Sequence, residues 1–188
     1  MEHDDAAHGM RVSDPSPEEL DYLYNEIDKL YHTFAHGCGI SDCAYWMLYA
    51  LEHAGGELPV GTLTTTWSYS KQTVNSALKT LEARGLVTLD YMEGSRKNKM
   101  AALTDAGRVF SAARIVPAID AEHRAFATLA PEERRELVRL VRHYVDALDA
   151  EIGAAAASLS EVPPAGSEAA LHAAESLWPE RPGCASVP

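Results

Sequence analysis

The sequence contains little cysteine and no long uninterrupted run of apolar residues. Its three cysteines, Cys38, Cys43 and Cys184, are an odd number and lack the spacing of a zinc site. No segment approaches the roughly 18 consecutive apolar residues of a membrane-spanning helix. The first residues have neither the basic nor the apolar region of a signal peptide. We therefore expect a cytoplasmic protein without a membrane partner.

Motifs of catalysis and cofactor binding are also missing. The eight histidines form no His-Glu-x-x-His pair, no nucleophile motif is present, and no glycine-rich loop follows a predicted strand. His32 and His36 lie four residues apart on a predicted helix, a spacing that suits metal ligands, but the sequence shows no third ligand beside them. We expect no catalytic residue, no cofactor and no metal site.

Basic residues are scarce overall, but they are concentrated in one segment. The formal net charge is -12, whereas residues 61–100 hold six basic and only three acidic side chains. Residues 1–36 hold nine acidic and two basic side chains. Attraction to phosphate acts within about one Debye length, roughly 10 Å. A local basic segment can therefore bind nucleic acid while the acidic remainder limits non-specific binding.

The basic segment contains a predicted amphipathic helix, with Ser70 suited to cap its start and Gly85 its end. Its apolar stripe recurs at three- and four-residue steps and consists of Val74, Ala77, Leu78 and Leu81. The opposite face carries amide, hydroxyl and ammonium groups, which can bond base edges and phosphates in a major groove. These groups belong to Gln72, Asn75, Ser76 and Lys79. The pattern predicts a DNA recognition helix.

A predicted β-hairpin follows this helix. Residues 87–91 alternate apolar and polar side chains, residues 93–99 form a basic turn, and residues 100–103 return as a second strand. Helix, strand, basic turn and strand is the order of a winged helix-turn-helix. We therefore predict DNA contacts from the helix and the wing, at Ser70, Lys71, Gln72, Thr73, Asn75, Ser76, Lys79, Ser95, Arg96, Lys97, Asn98 and Lys99.

Longer helices flank this region, and several begin at a Ser or Thr suited to capping: Ser16, Ser41 and Thr104. Residues 42–53 are apolar on nearly every side and predict a buried helix, and residues 58–63 predict a short one. A long helix follows residue 104, with a kink at Pro117. The apolar stripe of residues 131–152 predicts an oligomer interface.

The predicted fold is mainly α with a small β-hairpin. We expect a mobile arm over residues 1–14 and an Ala/Pro-rich tail over residues 154–188. Between them, residues 15–153 form one domain with its winged helix-turn-helix at about 41–104. The flanking dimerisation helices are expected to cover residues 15–36 and 105–153.

In this arrangement the chain resembles the MarR family of bacterial transcriptional regulators over about residues 16–153. The most specific similarity lies in residues 81–87, in the wing and in residues 103–107. Members of that family usually carry an Asp before the wing Arg, where it braces the Arg side chain. Ser95 stands at that position in this sequence. We therefore expect Arg96 to be held differently.

The resemblance implies a homodimer joined by the first and the last two helices, with two recognition helices in successive major grooves of double-stranded DNA. It further implies repression from a near-palindromic operator, relieved by a small and often aromatic effector. Aromatic side chains with polar groups suit such a ligand. The candidate pocket residues are Tyr31, His36, Trp46 and Tyr49.

Three alternatives remain at the level of the sequence. Cys38 or Cys43 can act as a thiol-based redox sensor if its pKa is lowered and it is accessible. The winged helix can instead bind a protein and no DNA, although its polar face and cationic wing count against this. The weakest alternative is the dimerisation part of an enzyme such as a methyltransferase, because the sequence leaves no room for a cofactor-binding domain.

Overall fold

The structure is a computed structural model, and it describes residues 14–159. Residues 1–13 of the expected arm and residues 160–188 of the expected tail lie outside the described residues. The described elements are α1 (Pro17–Gly37), α2 (Asp42–His53), β1 (Glu57–Pro59), α3 (Val60–Thr66), α4 (Lys71–Ala83), β2 (Val87–Tyr91), β3 (Lys99–Leu103), α5 (Asp105–Arg114), α6 (Val116–Ala127) and α7 (Pro131–Leu159). The chain divides into two compact units after Arg124.

Four helices begin at the predicted capping residues, which confirms the sequence interpretation. The side-chain oxygens of Ser16, Ser41, Ser70 and Thr104 each accept a hydrogen bond from the backbone N–H three residues later. The donor–oxygen distances lie between 2.9 and 3.3 Å. Each cap satisfies one of the N–H groups that a helix start leaves without a partner, and is worth about 1 kcal/mol.

Helix α2 is the central helix of the first unit, as its apolar composition predicted. Tyr45, Met47, Leu48 and Leu51 are completely buried. The helix packs against α1 on one side and against α4 on another. Each of these large side chains contributes about 1.5–3 kcal/mol by leaving water. The buried side chains of α2 therefore form the centre of the core against which α4 packs.

The sheet has one strand more than the predicted hairpin. Strands β2 and β3 pair in antiparallel fashion, from Val87 opposite Leu103 to Tyr91 opposite Lys99. Strand β1 pairs with the other edge of β3, giving the order β1-β3-β2. The helix predicted over residues 58–63 is therefore wrong at its start, because residues 57–59 extend along β3 and the helix spans residues 60–66. Pro59 is acceptable there because it lies on an edge strand.

The segment after the hairpin is held by the hydroxyl group of Thr104. This oxygen donates a hydrogen bond to the carbonyl of Gly85 at 2.6 Å and accepts one from the N–H of Gly107 at 2.9 Å. Gly85 has a φ of 69°, the left-handed conformation expected after the end of α4. A Cβ on Gly107 would overlap the carbonyl oxygen of Leu86. Thr104 thus joins the end of α4 to the start of α5.

The helix predicted after residue 104 is interrupted, not merely kinked. Helix α5 ends at Arg114 and α6 begins at Val116, with the buried Ile115 between them. Pro117 has no N–H to continue the hydrogen-bond ladder, and its ring excludes the carbonyl four residues earlier. One helix therefore becomes two.

In the second unit, α7 spans 29 residues and none of them is buried. Its start is stabilised by the Glu133 carboxylate, which accepts a 2.7 Å hydrogen bond from the N–H of Ala130. The helix continues six residues beyond residue 153, through an alanine-rich stretch of high helix propensity. Within residues 14–159, no helix has both the length and the apolarity needed to cross a membrane.

Candidate nucleic-acid interface

Helix α4 separates an apolar side from a polar side, as the sequence predicted. Its apolar stripe is buried in the core: Val74, Ala77, Leu78 and Leu81 have at most 7% of their surface exposed. These side chains pack toward α2 and the sheet. The orientation of α4 about its own axis is therefore fixed by its buried face, so the polar face points away from the core.

The polar face of α4 is open to solvent. Gln72, Ser76 and Lys79 are exposed, and Asn75 is half-buried. Together with Lys71 they line an open depression on the surface. Two amides, a hydroxyl and two ammonium groups thus lie side by side on about two turns of helix. This set contains both the donors and the acceptors that base edges require, together with the cations that bind phosphates.

Ser70 and Thr73 have a local structural role as well as an exposed position. The Ser70 hydroxyl accepts a hydrogen bond from the Thr73 N–H at 3.0 Å, and the two hydroxyl oxygens lie 2.8 Å apart. This pair orders the first turn of α4. Both hydroxyl groups remain at the exposed start of the helix, where unpaired N–H groups favour an anion.

Between β2 and β3, the wing is shaped by Gly94 and Ser95. The Ser95 N–H donates to the carbonyl of Met92 at 2.9 Å, across a turn in which Gly94 has a φ of 71°. The Ser95 hydroxyl then accepts hydrogen bonds from the N–H groups of Lys97 at 3.2 Å and Asn98 at 2.9 Å. Ser95 therefore holds the backbone of the wing tip and does not act as a charged brace for Arg96.

The cations of the wing lie on its surface. Arg96 and Lys97 are exposed at the tip, beside the exposed Asn98. Lys99 is half-buried, with its ammonium group 5.2 Å from the ring centroid of Tyr91 on the neighbouring strand. Such a cation–π contact contributes about 0.5–1 kcal/mol at an exposed site and fixes the direction of the lysine. The wing therefore presents two exposed cations at its tip, Arg96 and Lys97, and a third, Lys99, whose direction is set by Tyr91.

Arg84 belongs to the basic segment of the sequence, but the fold uses it structurally. Its guanidinium group donates a 2.9 Å hydrogen bond to the carbonyl of Gly39 and stacks 5.5 Å from the ring centroid of Phe110. These contacts join the end of α4 to the α1–α2 connection and to α5. Counting charges along the sequence therefore overstates the cations that are available to a partner.

Three of the four candidate effector residues meet in one aromatic cluster. The Trp46 ring lies 4.7 Å from Tyr31, 5.2 Å from Tyr49 and 4.5 Å from Trp67 between ring centroids. Tyr31 and Trp46 also line a cavity of about 340 Å³. Its remaining lining residues are mostly polar: Asn25, Asp28, Lys29, His32, Asp42 and Tyr69.

His36 lies apart from that cluster. Its ring is 4.3 Å from the His32 ring, and it borders a different depression together with Ile40 and Arg84. Its position follows from the helical repeat, because residues four apart share one face of a helix. The same repeat separates His36 from Tyr31, because five residues correspond to about 140° around the helix.

The tyrosines of the cluster are held in their neutral form. Burial, and secondarily the Glu122 carboxylate, raise the pKa of Tyr31 to about 12. Burial likewise raises the pKa of Tyr49 and Tyr45. The Tyr49 hydroxyl donates a 2.9 Å hydrogen bond to Glu122 on α6. This partner was missed at the sequence level, because Glu122 lies 73 residues away and nothing in its local pattern marks it.

The two cysteines within the described residues do not have the environment of reactive thiols. Cys43 is buried, and burial raises the pKa of its thiol, with a further increase from Asp42. Burial also raises the pKa of Cys38, although Arg114 partly opposes this shift. The Cys38 thiol contacts the carbonyl of Arg114 at 3.5 Å. Because the thiolate is the reactive form, these observations weigh against a thiol switch.

Comparison with known proteins supports the interpretation of the fold as a winged helix-turn-helix. A model of the MarR family matches residues 39–94, which run from the end of the α1–α2 connection into the wing. A search of curated proteins finds no match to the sequence. Many solved structures do match the fold.

Three of these structures show the extent of the similarity. A MarR family regulator from Neisseria meningitidis has 22% identity and a TM-score of 0.63, covering 72% of this chain and 95% of its own. A MarR family transcriptional regulator from Silicibacter pomeroyi has 29% identity and a TM-score of 0.53, covering 68% of this chain and 89% of its own. A MarR family transcriptional regulator from Streptomyces coelicolor has 20% identity and a TM-score of 0.56, covering 72% of this chain and 97% of its own. The resemblance to the MarR family and its winged-helix fold is thereby confirmed.

Proposed function

We propose that this chain, which has the fold of MarR family transcriptional regulators, is a sequence-specific DNA-binding repressor that acts as a homodimer. A DNA-binding regulator is the function that the family match and the neighbouring folds support. The observation that carries the finer proposal is the exposed face of α4. It presents Gln72, Asn75 and Lys79 to solvent above a stripe that is buried in the core.

The geometry of α4 suits the major groove of B-DNA. That groove is about 12 Å wide and admits one α-helix. Gln72 and Asn75 carry a donor and an acceptor each, the pairing that matches the N6 and N7 atoms of adenine. Lys71 and Lys79 are placed to meet phosphates, which position a protein without reading sequence. Arg96 and Lys97 would bind phosphates or the adjacent minor groove.

Dimerisation is supported by apolar surface on α1 and α7, the two longest of the helices within residues 14–159. In α1, Leu23, Ile27 and Leu30 are 54%, 48% and 72% exposed. In α7, Leu148 and Ile152 are 40% and 59% exposed. A single chain leaves these side chains in water, whereas an interface with a second copy would bury them. A two-fold dimer would present two α4 helices to half-sites about one helical turn of DNA apart, hence a near-palindromic operator.

The effector is proposed to be a small aromatic molecule bound against Tyr31 and Trp46. Their cavity of about 340 Å³ is of the size that small ligands occupy. The aromatic rings of its lining offer stacking, and the carboxylate and amide groups of Asp28 and Asn25 in the same lining offer hydrogen bonds to a phenol or a heteroaromatic ring. Such a ligand would relieve repression if it bound the DNA-free form more tightly than the DNA-bound form.

The main alternative is a winged helix that binds a protein and no DNA, and the experiment must distinguish it from a DNA-binding regulator. A mobility shift with random-sequence and promoter DNA at two salt concentrations does so. A DNA-binding regulator would bind promoter DNA more tightly than random DNA, and both affinities would fall as salt rises. If no shift is seen at the lower or at the higher salt concentration, the proposal of a DNA-binding regulator is wrong and the protein-binding alternative is favoured. The expectations of no catalytic activity and of a cytoplasmic location remain predictions.

A further inference from the structure

Among the residues that the structure describes, three metal-ligating side chains lie together at the corner between α1 and α2. One ligand atom from each of His32, His36 and Asp42 lies within 4.8 Å of the other two. The two histidines come from successive turns of α1, and the aspartate is the first residue of α2. The sequence showed only the histidine pair, because Asp42 reaches it through the turn between the helices.

The chemistry of this set is specific. Two imidazoles and one carboxylate suit zinc and its first-row neighbours, whereas magnesium and calcium prefer oxygen ligands throughout. Three protein ligands on one side also leave a position for a water molecule or a fourth donor. We propose that His32, His36 and Asp42 form a binding site for a divalent transition-metal ion of the zinc type.

The geometry needs only side-chain adjustment to accept the ion. Ligand atoms around a tetrahedral zinc ion are about 3.3 Å apart, given metal–ligand distances of about 2.0–2.1 Å. Nδ1 of His32 already lies 2.9 Å from one Asp42 carboxylate oxygen and 3.1 Å from the other. The ring of His36 is exposed and lies 4.3 Å from the His32 ring, so it can rotate toward the same point.

The neighbouring charges favour a cation. Asp28 lines the same cavity as His32 and Asp42, and it lies one helical turn before His32 in α1. Two cations lie nearby and both have partners. The Lys29 ammonium group is paired with Glu26 at 2.7 Å, and the Arg84 guanidinium group, which borders the depression beside His36, donates to the carbonyl of Gly39 at 2.9 Å. An ion at this corner would connect α1 to the start of α2, so metal binding would stabilise the folded first unit.

The simpler alternative is that His32 and Asp42 form only an ion pair between the two helices. That pair needs no His36, and it gives no preference for zinc over magnesium. Substitution of His36 therefore separates the two interpretations, because it leaves the His32–Asp42 contact in place. His143, an exposed histidine on α7, provides a matched control.

The experiment uses the full chain, stripped of metal with a chelator. Zn²⁺ is titrated in competition with a chromophoric chelator, Mg²⁺ is titrated separately, and thermal unfolding is followed with and without Zn²⁺. The variants are His36→Gln, Asp42→Asn and, as control, His143→Gln. Circular dichroism checks that each variant is folded.

We expect one Zn²⁺ per chain and no comparable binding of Mg²⁺. Affinity should fall at least about tenfold in His36→Gln and in Asp42→Asn and stay unchanged in His143→Gln. Zn²⁺ should raise the melting temperature of the wild type but not that of His36→Gln. The proposal is overturned if the wild type binds no stoichiometric Zn²⁺, or if His36→Gln binds it as tightly as the wild type. If Asp42→Asn is unfolded, the Zn²⁺ affinity of His36→Gln alone tests the proposal.

Discussion

Helices α4 and α7 are both amphipathic, but the apolar side of α4 is buried within its own unit, whereas no residue of α7 is buried within its unit. Four residues of α4 are buried in the core, whereas α7 has none among its 29 residues. The polar side of α4 is therefore the side available to a partner. In α7 neither side is buried, so the apolar side is exposed as well. The same kind of sequence pattern thus indicates a polar partner for α4 and a second apolar surface for α7.

This difference divides the proposed function between two helices. Helix α4 would read DNA because its orientation is fixed by its core contacts. Helix α7 would bring a second copy of α4 to the same operator. Substitutions on the apolar side of each helix should therefore have different consequences, one for folding and the other for assembly.

The largest effect is expected from placing charge on the apolar side of α7. Leu148→Glu combined with Ile152→Glu would bury carboxylates at a dimer interface, in both copies, at a cost of several kcal/mol per charge. We expect at least about 4 kcal/mol of association free energy to be lost. Light scattering should then report a monomer at micromolar concentration.

Ala150→Glu is the matched control for that variant, because residue 150 lies about 200° around the helix from Leu148. It should leave the dimer intact. A stable, folded wild-type monomer at the same concentration would contradict the assignment of α7 to assembly.

A buried substitution in α4 should act on folding instead. Leu81 is fully buried in the core, so Leu81→Ala should cost about 2–5 kcal/mol of unfolding free energy through lost burial and a cavity. Denaturant unfolding measures this cost. Glu82→Ala, at the adjacent exposed position, should change the stability by less than about 0.5 kcal/mol. Equal stability losses in the two variants would mean that the apolar side of α4 is not the packed side.

The wing cations should contribute affinity without sequence preference. Arg96→Ala and Lys97→Ala are expected to weaken binding to all DNA sequences, because their exposed charges meet phosphates or the minor groove. Each lost phosphate contact should make the slope of log affinity against log salt shallower by about 0.9. Fluorescence anisotropy over a salt series measures that slope. Unchanged affinity in both variants would show that the wing does not touch DNA.

The smallest effect is expected from the serine that replaces the usual wing Asp. Ser95→Ala removes the acceptor for the N–H groups of Lys97 and Asn98, and each such hydrogen bond is worth about 1 kcal/mol. The wing should become more mobile, and DNA affinity should fall by about 1 kcal/mol or less. Hydrogen exchange of these amides and anisotropy measure the two effects. Ser95→Asp, which keeps an acceptor, should retain amide protection, and its loss there would refute this role for Ser95.

Local patterns predicted the elements well, because capping and helical periodicity depend on nearby residues. The caps at Ser16, Ser41, Ser70 and Thr104 were all confirmed. Strand β1 was missed because a strand of three residues has too little pattern of its own, and its pairing with β3 exists only in the folded chain.

Most of the remaining differences have the same physical origin in long-range packing. The expected place of His36 among the aromatic residues is the exception, because the helical repeat alone places it beside His32. Asp42 beside the histidines and Glu122 beside Tyr49 come from other helices, so no local spacing reveals either partner. The role of Arg84 was hidden for the same reason, because the carbonyl that it binds lies 45 residues away.

The most direct test of the account is a selection of binding sites from random DNA by the wild type, Gln72→Ala and Asn75→Ala. The wild type should select a near-palindrome with half-site centres about one helical turn apart. Each variant should lose discrimination at particular positions within both half-sites, by about 1–3 kcal/mol per lost base contact. Lys79→Ala, the control, should keep the selected sequence while binding it more weakly. Unchanged base preferences in both amide variants would contradict the claim that α4 reads the operator.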